Sequence, residues 1–119
     1  MLLTYLDENA WAKLSETERQ QMMADCEPHL RQLIASGKFL GGPPLHPTSM
    51  ATTVKVRDNK RLVTDGPFAE TREQLGGYTS IDAADLDEAV GIAAGLLGTR
   101  SPSMIEVRPV VEVEWLRTH

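Results

Sequence analysis

The chain has 119 residues, 41% apolar, 24% charged and only 5% aromatic, with a net charge of −5. That length reads as one domain, 1–119, able to bury roughly 65% of its unfolded surface without metal or disulfide support. The acidic balance excludes nucleic acid and anionic membrane as natural partners, and the single cysteine, Cys26, excludes an intrachain disulfide and points to a reducing cytoplasm. Residues 1–11 carry acids at Asp7 and Glu8 and no basic leader, so they do not read as a signal peptide. No run approaches the ~18 apolar residues of a membrane span.

Residues 2–6, LLTYL, form a first expected strand. Ser15 and Glu18 have the spacing of a capping box, the start of a helix. Met22, Cys26, Leu30, Leu33 and Ile34 then recur at three and four, which is one helical face. Gly37 is placed to end that helix. Pro28 lies inside it and removes a backbone bond, so a kink or break is expected near 25–28. Residues 38–40 can start a second strand. The alternation in 51–57, the turn residues Asp58, Asn59 and Lys60, and the run 61–65 describe a β-hairpin. Residues 78–82 read as another strand. Asp85 precedes a helix whose stripe is Leu86, Val90, Ala93 and Leu97, closed by Gly98. Residues 104–115, MIEVRPVVEVEW, alternate as a last strand, with Pro109 marking an edge or bulge.

Two helices with one apolar face each need a sheet to cover, which describes a ferredoxin-like α+β sandwich. Its second sheet face would stay bare, so two subunits are expected to pack face to face as a homodimer. No internal repeat, linker or low-complexity segment interrupts the chain.

The residues then resemble something known. Residues 53–57 (TVKVR), 63–78 (VTDGPFAETREQLGGY), 85–89 (DLDEA) and 105–109 (IEVRP) are similar to the YCII-related family, and within it to the branch named for Asp-Gly-Pro-Phe. The resemblance implies a dimeric α+β barrel of ferredoxin-like subunits. Wider relatives hold a His and an Asp in a cleft, and some act on lactone-like rings. Members of the narrower branch are associated with extracytoplasmic-function sigma factors.

Candidate site residues follow from their positions. Asp65 ends a strand before Gly66 and Pro67, where a carboxylate can be a general base or a turn former. His46 lies in the stiff segment 43–47, PPLHP, and can be the acid–base partner of Asp65 or a solvated loop histidine. The resemblance to the branch favours His46. His29, followed by Leu30, sits at the edge of the helical stripe and resembles the wider family pattern, or is a groove-edge histidine. Glu70 and Glu73 are three apart and would share a helix face, as paired carboxylates or as a solvated surface. Arg57 and Arg108 stand on the polar side of their strands, as anchors for an anionic substrate or as ion-pair partners. Gly76 and Gly77 mark a turn or a close approach. His119 is terminal. The histidines and the lone cysteine lack metal-site spacing, and no phosphate loop or nucleophile elbow is present, so neither metal nor cofactor is expected. Two functions remain. One is binding of a small anionic or cyclic molecule with proton transfer, Asp65 and His46 acting and the arginines, Glu70, Glu73 and His29 binding. The other is a non-catalytic partner of a sigma factor.

Overall fold

In a computed structural model the described residues are 1–98 and 101–115. The elements run β1 (Leu2–Leu6), α1 (Glu8–Ala12), α2 (Glu16–Ala35), β2 (Phe39–Gly41), a 3-10 turn (Thr48–Met50), β3 (Thr52–Arg57), β4 (Lys60–Asp65), β5 (Gln74–Ile81), α3 (Leu86–Leu97) and β6 (Met104–Val107). Four strands form an antiparallel sheet in the order β2-β5-β1-β6. With α2 after β1 and α3 after β5, this matches the ferredoxin-like plan of an α+β fold. β3 and β4 pair only with each other, as a hairpin inserted between β2 and β5.

The local signals act as expected at the helix ends. The Ser15 hydroxyl accepts from the Glu18 amide at 3.1 Å, and Glu18 accepts from the Ser15 amide at 3.4 Å. At the other end of α2, the Gly37 amide donates to Ile34 O and the Lys38 amide to Leu33 O. This double bond pattern needs a left-handed residue, and Gly37 has φ +76. Asp85 caps α3 through the Glu88 amide at 2.8 Å. Asp58 and Asn59 both take positive φ, as a two-residue hairpin turn requires.

Five expectations need correction. Pro28 does not break α2, which runs as one helix through it. Met22, Cys26 and Leu30 are half-buried and Leu33 is buried, so the apolar face continues on both sides of the proline and packing holds the helix together. The buried stripe of α3 is Ala89 and Ala93, while Leu86 and Val90 are exposed. Ile34 is exposed as well. Strand β5 begins at Gln74, so Gly76 and Gly77 lie inside a strand, at a bulge opposite the Thr4–Tyr5 step, and make a close approach instead of a turn. A side chain at Gly76 would collide with Leu6, and one at Gly77 would touch Pro44. The last strand stops at Val107. Residues 108–113 form no strand, because they have no neighbouring edge to join within the sheet.

Leu2 is wholly buried, and the other buried apolar residues are Leu33, Ala89 and Ala93 on the two long helices. Leu2 therefore marks the sheet face that α2 and α3 cover. The alternate face carries Leu3 opposite Tyr78 and Tyr5 opposite Leu75 and Met104. Leu75, Tyr78 and Met104 are exposed there. The Cα trace is only 20 Å thick, one helix layer on one sheet. The chain exposes 9271 Å², against about 6,400 Å² for a compact monomer of its mass. Its radius of gyration is 16.6 Å, against about 13.5 Å expected. No helix among the described residues is long and apolar enough to cross a membrane.

Gly42 sets the path from β2 into the 43–47 segment. Its φ is +129, and an added Cβ would strike the Tyr78 carbonyl oxygen and come within 2.8 Å of Thr79 Cα. Both obstacles are backbone of a central strand. Gly42→Ala should destabilise the protein by about 1–3 kcal/mol, read as a shifted urea midpoint with an unchanged slope.

Candidate functional site

Asp7 follows β1 and caps α1. Its Oδ1 accepts from the Asn9 and Ala10 amides at 3.0 and 3.2 Å. Its Oδ2 meets Arg72 Nε at 3.4 Å. The Ala10 amide, aided by Arg72 and the Asn9 amide, holds the Asp7 carboxyl below its ordinary value of 3.8, although partial desolvation opposes them. Glu8 is next along the chain. Its two oxygens accept from the Thr48 amide at 2.9 Å and the Thr48 hydroxyl at 2.8 Å, which docks the 3-10 turn against α1.

The third wall is the loop after β4. Gly66 has φ +94, its amide donates to Ala51 O at 2.7 Å, and its carbonyl accepts from the Thr53 hydroxyl at 2.8 Å. Further on, Gln74 Nε2 donates to Ala69 O and Thr71 O, and the Thr71 hydroxyl donates to Glu73 O. These bonds hold 66–73 as an ordered irregular loop. Between the three walls lies a cleft of about 410 Å³, lined among others by Asp7, Glu8, Thr48, Glu70, Arg72 and Gln74. That volume suits a small molecule. Among the described residues, Glu70 makes no hydrogen bond or ion pair, whereas Asp7 and Glu8 are fully engaged.

The expected site residues separate in space. Glu70 lines the cleft. Glu73 is exposed on the same loop outside the lining, and no helix joins the two, so they share no helix face. Asp65 ends β4 opposite Thr52, exposed and one residue from Gly66 of the lining. His46 is exposed in its loop and does not line the cleft. Arg57 is exposed beside the hairpin turn. Arg108 lies just beyond β6 and pairs with Glu106 at 3.2 Å, while its backbone exchanges two 2.9 Å bonds with Met1. His29 lies elsewhere, in a groove of about 330 Å³ between α2 and α3 with Gln32, Lys38 and Glu88. Its ring packs on Gly95, leaving no room for a side chain there. Lys38 bonds Glu88 at 2.8 Å and lowers that carboxyl. Cys26 is half-buried, and desolvation pushes its thiol up, which disfavours the reactive thiolate. Among the described residues no three His, Cys, Asp or Glu side chains converge as metal ligands. His119 lies outside the described residues.

Sequence reasoning missed Asp7, Glu8 and Thr48. A signal for Asp7 was present: an Asp directly before the helix-compatible run ENAWA is a natural N-cap. Nothing in the sequence ties Glu8 to Thr48, forty residues away.

The model of the YCII-related domain matches residues 1–114. The chain belongs to the YCII-related family. An uncharacterized protein of Rhizobium meliloti (strain 1021) is 38% identical over 110 residues, covering 92% of this chain and 89% of the relative. The family match therefore takes in all three walls of the cleft, from Asp7 to Gln74.

Because its pKa is depressed on folding, Asp7 adds stability above 3.8, and that contribution is lost as pH falls through the lower folded value. Asparagine caps helices as well as aspartate does, so Asp7→Asn removes mainly the charge. The variant should melt lower than wild type at pH 7, and the gap should close below the folded pKa, measured as Tm between pH 7 and 2.

Proposed function

We propose that the cleft binds a small molecule and that the protein works on it by proton transfer, as a homodimer. The observation that carries this reading is the state of the cleft's charged groups. Asp7 and Glu8 are committed to structure, while Glu70 faces the same space with its carboxyl group uncommitted. Arg72 uses its Nε toward Asp7 and is otherwise exposed, so its terminal nitrogens can anchor a carboxylate or carbonyl oxygen. A guanidinium beside a free carboxyl group suits isomerisation or elimination on a small anionic or cyclic substrate. Asp65 and His46 would join from the rim when a ligand or a second subunit draws the 43–47 segment and the end of β4 inward.

A second reading has its own observation. Asp65, His46 and Phe68 all face outward, Phe68 with 88% of its surface exposed. A motif that displays its side chains can serve a protein partner, such as the sigma factor suggested by the resemblance, and do no chemistry.

The homodimer is supported by the surplus surface and by the open sheet face, where Leu3, Tyr5, Leu75, Tyr78 and Met104 stand beside Glu106 and its ion pair with Arg108. Two such faces packed together would close the dimeric α+β barrel.

Two measurements test these proposals. A ligand at a hundredfold its Kd stabilises by about 2.7 kcal/mol, a Tm rise on the order of 10 °C for a domain of this size. In a screen of small carboxylates, lactones and enolisable carbonyl compounds, hits should shift wild type, lose their shift in Arg72→Ala, and bind but not react in Glu70→Gln. A screen in which no compound separates the three proteins overturns the site. In sedimentation equilibrium wild type should be a dimer, and Tyr78→Asp with Met104→Asp should weaken it by about a hundredfold or more, since two charges would enter an apolar interface. A single-chain mass for wild type at tens of micromolar would overturn the dimer.

A further inference from the structure

The cleft that holds Glu70 and Arg72 has a lining of one chemical kind. Pro67 is the one apolar side chain in it, and no aromatic or aliphatic side chain joins it among the described residues. Apart from the backbone of Gly66, the remaining lining residues all carry a hydroxyl, an amide, a carboxyl or a guanidinium group. An apolar ring placed here would gain little from burial. It would also strip water from these polar groups and return no hydrogen bonds.

The groups that the fold leaves over include both donors and acceptors. Among the described residues, the Asn9 side chain and the Ser49 hydroxyl make no hydrogen bond. Asn9 offers an amide donor and an amide acceptor, and Ser49 offers both functions from one oxygen. Gln74 uses its Nε2 on Ala69 O and Thr71 O, so its Oε1 is left to accept. Arg72 uses its Nε on Asp7, so its terminal nitrogens are left to donate. A ligand that satisfies this mixture must itself donate and accept at several positions. A hydroxyl group does both, and a chain of hydroxyls does so at successive carbons.

Charge and size narrow the ligand further. Three carboxylates, Asp7, Glu8 and Glu70, share the cleft with one guanidinium, Arg72. A single carboxylate or carbonyl oxygen can meet the Arg72 nitrogens. A second anionic group would meet the excess of negative charge. The cleft volume of about 410 Å³ lies toward the lower end of small-molecule sites.

We infer that the cleft takes a short polyhydroxylated carbon chain with one carboxylate or carbonyl end, the chemistry of a sugar acid or an open-chain sugar. The carboxylate or carbonyl end lies on Arg72, and hydroxyls bond Asn9, Ser49 and Gln74. The committed carboxylates explain how these readers are placed. Asp7 accepts from the Asn9 amide, and Glu8 holds Thr48, the residue before Ser49. The inference rests on the small-molecule, proton-transfer reading proposed above and names its substrate class.

The test is calorimetric titration of the intact protein with matched probes, with far-UV circular dichroism to confirm folding. Gluconate carries hydroxyls and a carboxylate, fructose hydroxyls and a ketone, sorbitol hydroxyls alone and hexanoate a carboxylate alone. Gluconate or fructose should bind at least about tenfold more tightly than sorbitol or hexanoate. Which of the two binds tells a carboxylate end from a carbonyl end. Asn9→Ala with Ser49→Ala should weaken that probe about tenfold and leave hexanoate unchanged. Neither side chain is bonded to the fold, so the circular dichroism spectrum should not change. Hexanoate as tight as gluconate, or a double variant that binds like wild type, overturns the hydroxyl class and leaves a carboxylate-binding cleft standing. Sorbitol as tight as both gluconate and fructose overturns the carboxylate or carbonyl end. Binding of none of the four at tens of millimolar, while other compounds still lose their shift in Arg72→Ala, overturns the substrate class alone. If Arg72→Ala changes the binding of no compound, the cleft itself fails with it.

Discussion

A sheet covered on one face only is the constraint from which the rest of this molecule follows. Leu2 is wholly buried, while Leu3, next in the chain, lies on the opposite face of the sheet, which no helix among the described residues buries to the same degree. A strand places successive side chains on opposite faces, so an apolar run such as Leu2-Leu3 must supply both. Two helices can satisfy only one of them. The small buried set of Leu2, Leu33, Ala89 and Ala93 is what a single helix layer over a single sheet provides. The remaining apolar side chains, Leu75, Tyr78 and Met104 among them, stay exposed in the single chain.

The candidate site is built where the sheet layer ends. β1 delivers Asp7 and Glu8, β4 delivers Gly66, and the chain must then travel from Gly66 to Gln74 before it can rejoin the sheet as β5. That detour is the Asp-Gly-Pro-Phe loop. Its shape is set by backbone bonds at Gly66 and by the Gln74 amide reaching back to Ala69 and Thr71. Asp7 and Glu8 spend their oxygens on amides and on Thr48, and so position α1 and the 3-10 turn. Fixed walls of this kind are what a small, hydrogen-bonding site needs. Within them, among the described residues, Glu70 makes no hydrogen bond or ion pair.

Local rules were strong wherever a single turn of backbone decides the outcome. The capping box at Ser15 and Glu18, the glycine stop at Gly37, the cap at Asp85 and the hairpin turn at Asp58 and Asn59 all depend on contacts within a few residues. The break that the same rules allowed at Pro28 does not occur, because a lost hydrogen bond was weighed without the packing of Cys26, Leu30 and Leu33 on the same face. In α3 they placed Ala93 rightly but misplaced Leu86 and Val90, for a related reason. Leu86 and Val90 are apolar, yet the small side chains of Ala89 and Ala93 are the ones that allow close approach to the layer beneath. In the cleft, Glu70 was visible as a polar residue beside a turn, but Glu8 and Thr48 were not visible at all.

By itself, then, the sequence determined the order of the strands and the two long helices, the ends of those helices, the hairpin and the resemblance that the family match bears out, but not the short helix α1. These depend on spacing and on residues near one another in the chain. Only the tertiary structure decided which carboxylates share a space. Glu8 meets Thr48 across forty residues and Asp7 meets Arg72 across sixty-five, and such contacts depend on how the layers stack, which no local period encodes. The tertiary structure also decided that the period-two pattern of 109–115 is not enough to make a strand, because a strand is completed by its neighbour's hydrogen bonds and not by its own residues.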